Sequence, residues 1–394
     1  MMHAVTWLGA AGLLLVSSVY LRQMARFGRA WRQQVAESSS RPQPEHTAVS
    51  ASTAAPAFSV LVAARNEAHN LPHLLADLQQ QQPVPGGFEV LIVDDHSEDD
   101  TARVVQQAAA TAPFPVRLLQ LAKQPDAPTG KKAAVQAAVQ AAQAPWLLLT
   151  DADCRVPAGW VRAYAQAVAR HPETRFISGP VLLTGAGALA TLQGLELAGL
   201  VGAGAAGIAR QQPTMCNGAN LAYRRADFFA VQGFQGNEQV ASGDDEFLLH
   251  KLHAAFPGSI RFLADPAALI STPAQPTLRQ LLRQRVRWAS KWRHYQTRAP
   301  QRLAVLVLLA NLLFPVGAGL WLLGTVPAWA VLLSWAGKLL GDALLLRPVL
   351  RFLGRPRWLW WIPVLQLAYA PYALLTGLAG LRGSYEWKGR QVQP

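Results

Sequence analysis

Cysteine is nearly missing: the 394 residues hold two, Cys154 and Cys216. Two cysteines build neither a disulfide framework nor a cysteine-rich metal cluster, and a reducing compartment suits them. Charge is scarce as well, at 15% of residues against 51% apolar. Acids are the scarcer sign, 23 against 36 Lys and Arg, which leaves a net charge of +13. No internal repeat stands out, which argues against a solenoid or a long coiled coil. No basic stretch precedes the first apolar segment, so it lacks the layout of a cleaved signal peptide and reads as a retained anchor. A phosphate-binding P-loop is excluded around Gly130-Lys131-Lys132. Pro125 stands where the motif needs its first glycine, and Lys132 where it needs Ser or Thr.

The positive charge is concentrated. Residues 22–41 contain five Arg, residues 277–302 eight Lys or Arg, and residues 347–357 four Arg. Each cluster borders an apolar run, where anionic lipid head groups attract it. No nucleic-acid motif accompanies the charge, and no nucleic-acid partner is expected. The apolar runs are Thr6–Tyr20, Leu303–Gly324, Trp329–Leu346 and Trp358–Leu381. Spanning a bilayer takes roughly 20 such residues. Lys338 and Asp342 interrupt the third run one helical turn apart, where they can pair or line a site. The arginines after the first run place the amino terminus outside and the rest of the chain, from about residue 22, in the cytoplasm. Three later spans would then leave the basic tail outside, unless the third or the last run is re-entrant.

These features divide the chain into an anchor (1–21), a basic juxtamembrane stretch and linker (22–57) and a catalytic domain (58–275). An amphipathic interface helix (276–300), a membrane region of two or three helices (301–381) and a basic tail (382–394) follow. Residues 34–57, rich in Ser, Ala, Pro and Gln, read as the flexible part of the linker. From Phe58 the pattern alternates. FSVLVAA, FEVLIVDD, VRLLQLA and WLLLTDAD read as strands, with helical stretches between them and Ser97 a candidate cap. Nearly continuous apolar strands separated by helices predict an α/β fold with a mostly parallel sheet. Ligands in such sheets bind outside the carboxyl ends of the strands. Ala63–Glu67, Asp94-Asp95 and Asp151–Asp153 all fall at such ends.

Each of these sites has a chemical reading. Asp151 and Asp153 flank Ala152, and an extended segment would point both carboxylates the same way. A hard divalent ion takes one or two carboxylates plus substrate phosphates. Asp94 or Asp95 can accept hydrogen bonds from a base or ribose; the alternative is that Asp95, His96 or Ser97 caps the next helix. Lys131, at a helix start, can contact a phosphate. Asp244, Asp245 and Glu246 crowd like charges, which raises at least one pKa and suits a general base. Gln284, Arg287 and Trp288 fit one face of the interface helix, with Trp288 at head-group level and Arg287 near a diphosphate.

Taken in order, these residues resemble the inverting, nucleotide-sugar-dependent glycosyltransferases of family 2, whose catalytic domain is called GT-A. The likeness runs from about Phe58 to Trp288. The flanking apolar runs resemble the membrane-bound branch, with cellulose-synthase-like and lipid or carotenoid glycosyltransferases. It implies that Ala63, Arg65, Asn66 and Glu67 contact the nucleotide and that Asp94-Asp95 binds the base. It implies that Asp151 and Asp153 hold Mg2+ or Mn2+ and the donor diphosphate, and that Asp245 is the general base. Asp244 replaces the usual Glu of that motif. Gln284, Arg287 and Trp288 match QxxRW in full, and NGANLAYRR (217–225) would line the acceptor side. The tail WKGR (387–390) is also similar to members acting on lipids. The expected reaction moves a hexose from a nucleotide diphosphate sugar, expected to be UDP-linked, to a membrane lipid or isoprenoid. A processive polysaccharide synthase using the same donor site is the alternative.

Overall fold

A computed structural model describes residues 2–39, 56–123, 129–238, 240, 242–295, 297–381, 385–387 and 390–392. In chain order, the first half comprises α1 (Met2–Ser39), β1 (Phe58–Ala64), α2 (Leu71–Gln79), β2 (Phe88–Asp94), α3 (Thr101–Thr111), β3 (Val116–Gln120), α4 (Lys131–Ala141), β4 (Trp146–Asp151), α5 (Trp160–Arg170), β5 (Phe176–Ser178) and β6 (Val181–Thr184). The second half comprises α6 (Gly187–Ala209), β7 (Leu221–Arg224), α7 (Arg225–Ala230), α8 (Asp244–Ala255), β8 (Ile260–Phe262), β9 (Ile270–Pro273), α9 (Leu278–Ser290), α10 (Arg298–Leu322), α11 (Ala328–Phe352) and α12 (Ile362–Leu381). A short antiparallel pair, β10 (Tyr385–Trp387) and β11 (Arg390–Val392), follows. Lys388 and Gly389 of the WKGR tail, and most of 382–394, lie outside the described residues.

Seven strands form one sheet in the order β3-β2-β1-β4-β7-β5-β8. The pairs β3-β2, β2-β1 and β1-β4 are parallel, and β7 runs against both of its neighbours. The sheet is buried on both faces, so its central strands are mostly apolar: Val60, Val62, Val90, Leu91, Ile92, Leu147 and Leu148 are fully covered, and the buried Ser59 and Glu89 bond to each other. Register is what brings the chemistry together. Ala64 pairs with Asp94 and Ala63 with Asp151, so β1, β2 and β4 end side by side at one edge.

The membrane-facing part departs from the expectation in two places. The presumed linker does not begin at residue 34, because α1 continues to Ser39 and carries the whole Arg22–Arg32 stretch as helix. Its second half is packed rather than loose. Trp31 is 1% exposed and lies 5.4 Å from the Phe352 ring of α11 and 5.6 Å from the Phe262 ring of β8. Gln34 Nε2 donates to Ala205 O of α6 at 2.8 Å. At Gly28 any side chain would collide, since a Cβ would fall 2.3 Å from Leu344 O. Residues 40–55 of the expected linker lie outside the described residues.

The second departure is α6. Its dense glycine hid a 23-residue helix, because glycine lowers helix propensity while tertiary packing restores it. Among the described residues, five helices are long and apolar enough to cross a membrane: α1, α6, α10, α11 and the run Pro356–Gly380, which includes all of α12 but its last residue. Protein covers 72% of the most apolar window of α6 but only 22–44% in the other four, so α6 faces protein. The charges within α11 do pair: Lys338 Nζ lies 2.7 Å from Asp342 Oδ2. Tyr20 of α1 and Gln366 of α12 donate to the same carboxylate, which joins three helices through one buried polar knot.

Candidate active site

One cleft of about 620 Å³ opens at the carboxyl edge of β1 and β4 and is closed by α6, α8 and α9. Of the expected site residues it brings together Ala63, Arg65, Glu67, Asp95, Lys131, Asp151, Asp153, Asp244, Asp245, Gln284, Arg287 and Trp288. Asn66 and Asp94 are not among its lining residues. Both hold the neighbouring loops instead. Asp94 Oδ1 accepts from Ser97 N–H at 2.9 Å. Asn66 adopts φ 53°, a left-handed conformation that asparagine tolerates. Its N–H donates to Ser97 Oγ, and its Oδ1 accepts from Glu98 N–H at 2.8 Å. Ser97 therefore does not cap α3; Asp99 Oδ1 accepts from Thr101 N–H there.

Arg65 is 8% exposed and donates to the carbonyls of Asp95 and His96 at 3.0 and 3.1 Å. Asp95 is the member of the acidic pair that faces the cleft. Its Oδ2 accepts from Gly130 N–H at 2.9 Å and its Oδ1 lies 3.0 Å from His96 Nδ1. These bonds give the loops after β1, β2 and β3 one shared geometry.

Asp151 ends β4, and the segment does not remain extended through Asp153. Ala152-Asp153 form a turn in which Cys154 N–H donates to Asp151 O at 3.1 Å. Simple alternation is therefore not what orients the two carboxylates, yet both line the cleft. Among the described residues no group of three His, Cys, Asp or Glu could hold a metal ion alone. Two carboxylates suffice for a hard divalent ion whose other ligands are donor phosphates and water, so the donor set fits. Lys131 Nζ sits 2.6 Å from Asp151 Oδ1. Burial would lower the Lys131 ammonium, but Asp151, Asp244 and Asp245 outweigh it and hold it above the ordinary lysine value. Burial, with Asp151 beside Cys154 and Asp245 beside Cys216, pushes both thiols up, which leaves neither a nucleophile at neutral pH.

The opposite wall begins at Gly243, whose φ of 82° favours glycine and turns the chain into α8. Asp244 and Asp245 occupy the first turn of that helix. Burial raises both carboxyls, partly countered by Lys131 at Asp244 and by Lys291 at Asp245. Asp245 Oδ1 accepts from Glu246 N–H at 2.8 Å. Its Oδ2 lies over Gly218, where an added Cβ would sit 3.3 Å away. Glu246, a third candidate from sequence, is bound by Lys291 Nζ at 2.7 Å and Tyr295 OH at 2.5 Å. The loop that presents Gly218 is fixed by Asn220, which is 0% exposed. Asn220 Oδ1 accepts from Trp160 Nε1 and Tyr164 OH, and Nδ2 donates to Pro180 O and Ala268 O.

The third wall is α9, started by Thr277, whose Oγ1 accepts from Gln280 N–H. It places Gln284, Arg287 and Trp288 on the cleft. Sequence reasoning missed four residues that organise this wall and the last: Glu196, Arg285, Lys291 and Asn220. Asn220 lies within NGANLAYRR and Arg285 within the QxxRW stretch, whereas Glu196 lies in the helix that glycine concealed.

A mostly parallel sheet, carboxylates at its carboxyl edge and a helix closing the cleft define a GT-A domain that handles nucleotide sugars. The family described as Glycosyl transferase family group 2 matches residues 146–374, and Glycosyl transferase family 2 matches residues 59–193. The chain belongs to glycosyl transferase family group 2, whose match spans more than half of it. It is similar in structure to the mannosyltransferase PcManGT from Pyrobaculum calidifontis, solved in complex with GDP-Man and Mn2+. That likeness has a TM-score of 0.51 at 18% identity, over 94% of this chain and 98% of the other. TarS (residues 1–349) from S. aureus aligns at a TM-score of 0.42 and 17% identity, over 85% of this chain and 95% of the other. No curated protein sequence matches this chain.

Proposed function

We propose that this protein is an inverting hexosyltransferase that uses a nucleotide diphosphate sugar and a membrane-associated lipid or isoprenoid acceptor. The observation that carries the reading is one cleft with Asp95, Lys131, Asp151 and Asp153 on one wall and Asp245, Gly218 and Trp288 on the others. Asp95, with the Ala63–Glu67 loop tied through Asn66 to the loop that Asp94 holds, takes the nucleoside, expected to be uridine. Lys131 and Arg287 take up diphosphate charge. Asp151 and Asp153 would hold Mg2+ or Mn2+, which when bound neutralises charge on the departing diphosphate. The precedent of GDP-Man and Mn2+ in the mannosyltransferase supports this donor chemistry.

Asp245 is favoured over Asp244 as the base. Lys131 and Asp151 bear on Asp244, which puts it beside the donor phosphates. Lys291 and Glu246 bear on Asp245, beside Gly218. A raised carboxyl is the stronger base once ionised. Asp245 Oδ2 accepts the proton of the acceptor hydroxyl as that oxygen bonds to the anomeric carbon. The bond from that carbon to the diphosphate oxygen breaks on the opposite face, its electron pair leaves with the diphosphate, and configuration inverts.

The lipid acceptor is supported by the apolar part of the cleft, where Leu197, Leu200 and Val201 of α6 and Met215 line the space. The four long apolar helices that protein covers least, α1, α10, α11 and the run Pro356–Gly380, support a membrane location. The arginine-rich flanks support a cytoplasmic cleft in contact with anionic head groups. The test is to incubate the full-length protein with UDP-glucose, UDP-galactose, UDP-N-acetylglucosamine or GDP-mannose, Mn2+ and extracted membrane lipids. A lipid heavier by one hexose unit, seen by mass analysis, is expected. Long lipid-free polymer would favour the processive alternative, and no turnover of any donor would oppose the reading.

A further inference from the structure

Arg285 occupies the first unassigned position of Gln284-Arg285-Val286-Arg287-Trp288, and its guanidinium touches two of the assigned ones. Nη1 donates to Gln284 Oε1 at 2.5 Å. Its central carbon lies 4.1 Å from the centroid of the Trp288 ring. Arg285 is itself held by Glu196 of α6, whose Oε2 accepts from Nε at 3.0 Å and Nη2 at 2.8 Å. The other oxygen of Glu196 accepts from Tyr372 OH of α12 at 2.9 Å. Arg285 is 5% exposed, so this is a buried, charge-assisted pair, two donors on one oxygen, with little freedom to rearrange.

Three further contacts hold α6 to the segment leading into α9, and α9 to α12. One turn before Glu196, Gln193 Nε2 donates to Gln275 O and its Oε1 accepts from Gln275 N–H, at 3.0 and 2.9 Å. At Gly380 of α12 an added Cβ would fall 2.7 Å from Ala289, so α12 and α9 meet almost backbone to backbone. The helix carrying Gln284 and Trp288 is thus clamped between α6 and α12.

The chemistry has a direction. Arg285 carries only donors, so it accepts no hydrogen bond and must face the oxygen of the Gln284 amide. The NH2 of Gln284 is thereby turned away from Arg285, on a residue that lines the cleft. The cation over the ring also fixes the plane of Trp288. We infer that Glu196 and Arg285 are positioning residues for sugar transfer: they make Gln284 an N–H donor toward ligand oxygen and set the Trp288 ring, and Tyr372 couples this setting to the membrane helix α12. The inference rests on the transferase reading, and it gives α6 a role in the reaction.

The test compares Glu196→Gln, Gln284→Met and the double variant in full-length protein. Readouts are turnover of the donor active in wild type and thermal unfolding. If Glu196 acts through Gln284, Glu196→Gln lowers kcat about 10-fold in wild type and less than 2-fold in the Gln284→Met background. Equal losses in both backgrounds would overturn the inference. The exchanged pair Glu196→Arg with Arg285→Glu separates positioning from mere support. A glutamate at 285 accepts hydrogen bonds, turns the Gln284 amide round and removes the cation over Trp288. The exchanged pair is therefore expected to regain unfolding temperature over either single variant while staying at least 10-fold below wild-type kcat. Recovery of activity along with stability would show that the pair only holds helices together, against the inference. Should the exchanged pair not fold, the Gln284 cycle alone decides between the two roles. Wild-type inactivity with every donor would contradict the transferase reading itself and remove the positioning role with it.

Discussion

Lys131 Nζ rests 2.6 Å from Asp151 Oδ1, although 20 residues separate them. The reason is topological. In a parallel crossover the helix starts at the sheet edge where the next strand ends, so the first residue of α4 and the last of β4 meet. The pair puts a fixed cation beside the proposed metal ligand, at the point where a donor diphosphate would lie.

Replacing that cation tests its part in donor binding. Lys131→Met should weaken nucleoside diphosphate binding about 10-fold, the usual scale for one charge-assisted contact. Isothermal titration of UDP and GDP with Mn2+ present measures it. Unchanged affinity for whichever nucleotide binds wild type would remove Lys131 from the phosphate site.

Asp151→Asn and Asp153→Asn should each abolish Mn2+-dependent turnover while the protein still inserts into membranes and unfolds cooperatively. Manganese binding in the presence of UDP, followed by electron paramagnetic resonance, gives a readout separate from activity. Near-wild-type turnover in both variants would dismiss the metal site.

The two acids of α8 should divide by function. Asp245→Asn is expected to lower the single-turnover rate by about 10²–10⁴-fold with donor affinity largely kept. Asp244→Asn should slow that step less. Were Asp244→Asn alone to stop transfer, the base would be misplaced by one residue.

The same acids carry a stability signature. Burial raises the Asp245 carboxyl above its unfolded value, so the folded protein binds that proton more tightly than the unfolded chain. Stability therefore falls as pH rises from the ordinary aspartate value, near pH 4, through the raised one, and the loss is complete above it. Asp245→Asn removes this loss, while Lys291 keeps Glu246 as a partner at 2.7 Å. Its unfolding temperature at pH 7 should exceed that of wild type. The gain should vanish below pH 4. A lower unfolding temperature at pH 7 would contradict it.

Much of this was legible in sequence because it is local. The apolar strands ending in Asp94-Asp95 and Asp151 fix a parallel sheet and its binding edge, and Gln284, Arg287 and Trp288 keep the spacing of one helix face. What could not be read depends on partners distant in the chain. Asp94 and Asp95 look alike until Ser97 claims one and Gly130 binds the other. Ser97 reads as a helix cap until Asn66 reaches it from another loop. Asp151 and Asp153 suggest an extended pair, yet the chain turns at Ala152. α6 is helical because α1, α11 and the sheet enclose it, a cause that its own glycine-rich sequence conceals.

The central claim is single displacement with Asp245 as base, and the configuration of the product tests it most directly. The full-length protein, given a donor whose hexose is α-linked to the diphosphate and the lipid it glycosylates, should form a β-linked product, read from the anomeric proton coupling or the one-bond carbon–proton coupling. An α-linked product would require two displacements or a front-face path and would contradict the account.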